Sequence, residues 1–168
     1  MILTALMHRE RRLADGVAEM HALVGDIIDA CKGERVEEVN GTPYKVVGNV
    51  AEFTLSESAD GVKTNSLKIA INKTTGYGAL IWFVTAQFPK KGGIYDRVWV
   101  SNNQQPPGFD TRVASDPWDP DFHDPRSTLP LASVRAAVEE FCRTGTGDRP
   151  ECIDWVEASS FSGDRADT

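Results

Sequence analysis

The chain has 168 residues, with 18 basic and 25 acidic side chains and a formal net charge of −7. That length suits one domain, and at this size about 70% of the unfolded surface can be buried, so no metal or disulfide staple is required. Hydrophobic residues at 40% and charged residues at 26% exclude global disorder. No apolar run approaches the roughly 20 residues needed to span a bilayer as a helix. The opening run from Met1 to Met7 is apolar, but Arg9, Arg11 and Arg12 follow it, the wrong order for a signal peptide, so a cytoplasmic protein is expected.

Charge is spread unevenly. Residues 1–107 hold 12 basic and 12 acidic side chains, whereas residues 108–168 hold 6 and 13. An acidic C-terminal part repels phosphate backbones and disfavours direct nucleic-acid binding. It would attract a basic protein surface and speed encounter with it. Cys31, Cys142 and Cys152 cannot all pair within one chain and show no C-x-x-C spacing. They read as reduced, mostly buried thiols rather than a zinc site.

In chain order, residues 1–7 read as a short strand. Leu13, Val17, Met20, Val24, Ile27, Ile28 and Cys31 recur at steps of three and four, one apolar stripe of an amphipathic helix, with Gly33 as its stop. Asn40-Gly41-Thr42-Pro43 is turn chemistry. Val47, Ala51, Phe53 and Leu55 share a parity and predict a half-buried strand, with a hairpin turn at Asp60-Gly61. Leu67, Ile69 and Ile71, alternating with Lys68 and Asn72, predict the next. Tyr77 to Val84 is apolar on both parities and predicts a central strand covered on both faces. A further strand is expected over Ile94 to Val100.

Residues 101–129 carry five prolines and five aspartates without periodicity, which predicts a long loop with a short strand near Thr111-Arg112-Val113. Pro130 suits the first position of a second helix, with Leu131, Val134, Val138 and Phe141 as its stripe. Arg135, Glu139 and Arg143 form a charge ladder on another of its faces, and Gly145 ends it. Ile153 and Trp155 predict a last short strand, and the small polar tail from Ser159 is expected to fray. The order β-α-β-β-β-β-loop-α-β, with hairpin-like connections, predicts an α+β fold, a mostly antiparallel sheet with two amphipathic helices packed on it. The expected organisation is one domain over residues 1–158 and a flexible tail over 159–168.

The chemistry is mostly negative. No Walker loop, dinucleotide fingerprint or nucleophile elbow is present. The run from Asp116 to Asp124 has four carboxylates and His123 in nine residues, so a hard cation and a small metal-dependent hydrolase using Asp116, Asp119, Asp121, His123 and Asp124 form one alternative. The EF-hand pattern fails there, and two prolines restrict wrapping around an ion. The same loop also reads as a partner-binding element with Trp118 as aromatic anchor. A third alternative is a non-catalytic scaffolding module.

Residues 129–155 contain Pro130, Ala137-Val138, Phe141, Thr144-Gly145, Arg149-Pro150 and Trp155. This stretch resembles the C-terminal signature of the first-numbered immunity-protein family of bacterial polymorphic toxin systems. The Gly78-Ala79-Leu80 strand and the opening strand followed by a helix look similar too. The resemblance implies a non-enzymatic inhibitor, with no catalytic residues, cofactor or metal. It would bind a cognate toxin domain, a nucleic-acid deaminase or nuclease, in a 1:1 complex, without nucleic acid or membrane as direct partner. Its scaffold residues are separate from its inhibitory ones. Asp110, Asp116, Trp118, Asp119, Asp121 and Asp124 are the expected toxin contacts, occluding a basic substrate cleft.

Overall fold

A computed structural model describes residues 1–46, 49–116 and 121–168. Its elements are β1 (Ile2–Met7), β2 (Glu10–Asp15), α1 (Val17–Ala30), β3 (Arg35–Val39), β4 (Thr42–Val46), β5 (Asn49–Ser56), β6 (Asn65–Asn72), β7 (Tyr77–Val84), β8 (Val98–Asn102), β9 (Ala114–Asp116), β10 (Asp121–Phe122), β11 (Leu129–Pro130), α2 (Leu131–Thr144) and β12 (Asp154–Ala158). An eight-stranded antiparallel sheet runs in the order β12-β8-β7-β6-β5-β1-β2, with β11 added beside β7. Two short ribbons, β3-β4 and β9-β10, stand apart from it. The expected α+β class is therefore found. Among the described residues no helix is long and apolar enough to cross a membrane.

Both helices cover one sheet face. Met20, Leu23, Val24, Ile27 and Ile28 of α1 and Val134, Val138 and Phe141 of α2 pack on Leu3, Phe53, Leu67, Ile69, Leu80 and Trp82. Each such large apolar side chain contributes roughly 1.5–3 kcal/mol when fully buried, and this face holds the bulk of them. Among the described residues the opposite face has small satellite clusters around Val113 and around Val100. One layer of helices on one side leaves the other side of the sheet for loops, the tail, or a partner.

Several sequence expectations shift. The first helix does not begin at Leu13. Residues 10–15 form β2, because His8 and Arg9 adopt positive φ (52° and 66°) and make a tight hairpin turn. Leu13 and Val17 are exposed, so the buried stripe starts at Met20. Gly33 is not a left-handed helix stop. It is required by close approach, since a Cβ there would sit 1.9 Å from Thr74 Oγ1. Asn40-Gly41 does form the expected tight turn, with φ of 50° and 78°, between β3 and β4. Asp60-Gly61 lies instead within a longer connection between β5 and β6. Val47 falls outside the described residues.

The strand at Tyr77 to Val84 has its centre covered on both faces as expected. Ile94 starts no strand, because Gly93–Asp96 form a helical turn and β8 begins at Val98. The short strand near Val113 lies one to three residues later, as β9. Helix α2 starts one residue after Pro130 and ends at Gly145 with φ 65°, a left-handed cap.

The tail from Ser159 folds back onto the sheet edge. Ser159 N–H donates to Asp164 O (2.7 Å), Ala166 N–H to Glu157 O (2.9 Å), and Ala158 bridges to Arg165. Phe161 packs edge-on to Phe83 with ring centroids 4.8 Å apart. The Arg165 guanidinium is buried, donating to both carboxylate oxygens of Asp167 and to Asn102 Oδ1 (3.1 Å). The lone Phe161 sets no apolar period, but the backbone groups of the β12 edge supply partners for this return.

Candidate protein-interaction face

The loop after α2 is held by aromatic side chains from the sheet. Trp82 Nε1–H donates to Gly147 O (3.0 Å), and Trp155 Nε1–H to Pro150 O (2.7 Å). Tyr95 O–H donates to Asp148 Oδ1 (2.9 Å), and Lys90 pairs with Asp148 Oδ2 (2.6 Å). The Arg149 guanidinium lies over the Trp99 ring at 4.4 Å and the Trp155 ring at 5.9 Å. Gly147 has φ 76°, and a Cβ there would lie 2.7 Å from Asn65 Nδ2. Its carbonyl can meet Trp82 only because glycine permits both the turn and the approach. Thr144-Gly145, Arg149-Pro150 and Trp155 therefore fix a chain reversal that delivers β12 to the sheet.

That clamp gives the C-terminal motif a structural meaning, and the likeness extends well beyond it. Residues 8–157 match the family model described as Immunity protein Imm1. The chain belongs to the Imm1 immunity-protein family. No curated protein and no solved structure matches it.

In this Imm1 chain the described parts of the aspartate-rich segment, residues 110–116 and 121–124, lie over the helix-free face of the sheet. Its course is fixed from both sides. Thr75 Oγ1–H donates to Thr111 O (2.6 Å), Asn72 Nδ2–H to Arg112 O (3.0 Å) and His123 N–H to Val113 O (2.8 Å). Val113 is fully buried on Ala70 and Ala79. Ser101 Oγ–H donates to Ser127 O (2.6 Å), closing the segment's far end. Arg112 takes a positive φ of 49°, unusual for a long side chain. It is compensated by an ion pair to Glu34 (2.5 Å) and by stacking 4.9 Å from the Phe122 ring.

The expected contact residues divide by what already holds them. Asp116 and Asp121 are exposed and face each other across the β9-β10 register. Asp110 is exposed, its carboxylate accepting from Arg112 N–H (2.9 Å) in a local turn. Asp124 is committed to Arg126, with its backbone N–H at 2.9 Å and Nη2 at 2.7 Å. The Arg126 side chain holds the Asp124 carboxyl below its usual range. Trp118 and Asp119 lie outside the described residues.

The His123 imidazole is buried, its pKa pushed down to about 4 by loss of solvent, with Nδ1 lacking a hydrogen-bond partner among the described residues. It is therefore neutral near pH 7. Among the described residues no group of three or more His, Cys, Asp or Glu side chains could hold a metal ion.

The expected acidic flank is also less acidic in space than in sequence. Asp148 pairs with Lys90 and Glu157 with Arg97 (2.9 Å), joining acids of the last third to bases of the middle. Arg112 in turn goes to Glu34. What sequence reading missed on this face is its floor. Glu52 and Lys68, isolated charges on apolar strands, are register partners at the centre of the sheet.

Proposed function

We propose that this Imm1 chain neutralises a cognate toxin domain by staying bound over its substrate cleft in a 1:1 complex, in the cytoplasm and without changing any covalent bond. The toxin chemistry that fits is a nucleic-acid deaminase or nuclease, because such a cleft must be basic to hold phosphates. The carrying observation is the opposed, exposed pair Asp116 and Asp121 on a ribbon whose base is pinned to the sheet. Asp110, Trp118 and Asp119 extend the same contact, whereas Asp124 acts through its bond to Arg126 by shaping the segment's end.

The test is co-expression with the toxin domain encoded beside this chain. Co-purification at equal stoichiometry and survival of the cells are expected. Toxicity without co-purification would sink the reading. Association should slow as ionic strength rises, and Asp116→Asn with Asp121→Asn should slow it about tenfold at low salt. A rate that ignores both removes the electrostatic part.

A further inference from the structure

The His123 ring lies under the C-terminal tail. Gly163 rests so close to it that an added Cβ would stand 2.8 Å from His123 Cε1 and 2.9 Å from Ile81 Cδ1. The other neighbours are fixed. Ile81 belongs to β7 at the sheet centre, and His123 N–H is bonded to Val113 O (2.8 Å). Two cavities meet at the ring. One is a groove of about 480 Å³ on the helix-free face, lined in part by Glu52, Lys68 and Ser162. The other, of about 230 Å³, is bordered by Phe122 and Arg165. Ser162 borders both, so the tail forms a wall of each.

The tail is bonded mainly to itself. Ser159 N–H donates to Asp164 O (2.7 Å), Ser160 Oγ–H to Asp164 Oδ2 (2.7 Å), Gly163 N–H to Ser160 O (3.2 Å) and Thr168 Oγ1–H to Arg165 O (2.8 Å). The Arg165 guanidinium, buried at the sheet edge, has its counter-ion on the same segment, in Asp167 (2.9 Å). Among the described residues the polar bonds that cross to the body are Ala166 N–H to Glu157 O (2.9 Å) and Arg165 Nη1–H to Asn102 Oδ1 (3.1 Å) and to Ser127 Oγ (3.4 Å). The edge-on contact of Phe161 with Phe83 joins them. Lifting this segment therefore separates no ion pair among the described residues and leaves no buried charge without its partner.

We propose that residues 159–168 form a detachable strap and that His123 is its proton-operated catch: when the ring takes a proton from solvent, the strap lifts while helices and sheet stay folded. Burial pushes the pKa of the covered ring down to about 4, whereas a solvated ring titrates near 6.5. The open form binds the proton more tightly, so acid favours opening. The ionisable groups around the ring are Asp164 and Arg165 of the tail, Asp124 of its own segment and, across the groove, Asp116, Glu52, Lys68 and the His8-Arg9 turn. Asp164 pulls toward the charged ring and is outweighed by burial. Asp124 is committed to Arg126 and Glu52 to Ser66. An open strap bares the β12 edge and the Phe83 ring, and it withdraws Arg165 from Ser127 at the end of the aspartate-rich segment.

Hydrogen exchange of the full chain, followed by mass spectrometry and divided by the rates of the unstructured tail peptide, reads the opening. From about pH 6 to about pH 4.5 the opening constant of residues 159–168 should rise about tenfold per pH unit, while β6 and β7 keep their protection. His123→Phe should remove this rise. Phe161→Ala, at an exposed ring, should raise opening by one constant factor at every pH and keep the slope. In the unaltered chain, NMR of the His123 ring should show protonation and loss of tail protection in the same pH range. Tail protection that ignores pH overturns the proposal. So does joint loss of protection in the tail and β7, which is global unfolding. A slope that persists in a folded His123→Phe chain assigns the opening to another group and overturns it equally.

Discussion

His123 joins several roles at one position. Its backbone fixes the segment to Val113, and its ring lies so close to the tail that a Cβ on Gly163 would be 2.8 Å from Cε1. Burial lowers its folded pKa from 6.5 to about 4, against a smaller opposing pull from Asp164. The unfolded chain therefore binds a proton near pH 6.5 that the folded chain refuses until about pH 4. Stability is fully present above pH 6.5 and falls as pH drops through this window, by on the order of 3 kcal/mol in all. Urea unfolding at pH 7, 5.5 and 4.5 measures this, and His123→Phe should flatten the dependence. An unchanged slope in that variant would mean that His123 is not the source of the loss, since the lowered pKa of a carboxylate such as Asp124 acts only at lower pH.

At the scale of elements, the sheet has two edges that are managed differently. The β2 edge presents Glu10, Arg11, Arg12 and Asp15, charges that discourage pairing with another strand. The β12 edge is covered by the chain's own last residues, through Ala158, Glu157 and the buried Arg165. Removing residues 159–168 uncovers this edge and the ring of Phe83. Such a truncation should lower the melting temperature by about 5 °C or more, equivalent to roughly 2 kcal/mol at this chain length, and should promote association at millimolar concentration. Calorimetry and light scattering read these outcomes, and an unchanged melting temperature would show that the tail adds no stability. The helix pair shows the opposite case. Its stripe from Met20 onward and the Val134, Val138, Phe141 stripe were legible, because burial on one face imposes a period of 3.6 that no neighbour can disguise.

For the whole molecule, both helices and most strands share one continuous core, so it should unfold as a unit. The thiols report on this. Burial pushes Cys31 up to about 11 and Cys142 up to about 12, while partial cover of its sulfur and the Glu140 carboxylate push Cys152 up to about 12. All three are free, and only Cys152 is exposed. A thiol reagent at pH 8 should label Cys152 slowly and the other two only with global unfolding, at one denaturant midpoint. Separate midpoints for Cys31 and Cys142 would mean that the two helices detach independently.

The sequence by itself determined the α+β class, the two helices, the central strand, the turn at Asn40-Gly41 and the loop signature that marks the family. Each rests on residues near one another in the chain, where periodicity, glycine at positive φ and proline act locally. Only the tertiary structure decided the rest. It placed β2 where a helix was expected, because a hairpin at His8-Arg9 gave those residues a strand partner. It paired the acids of the last third with distant bases, and it brought Glu52, Lys68 and Ser162 to one groove. Those outcomes depend on register and chain return, which join residues tens of positions apart, and no local pattern encodes such a distance.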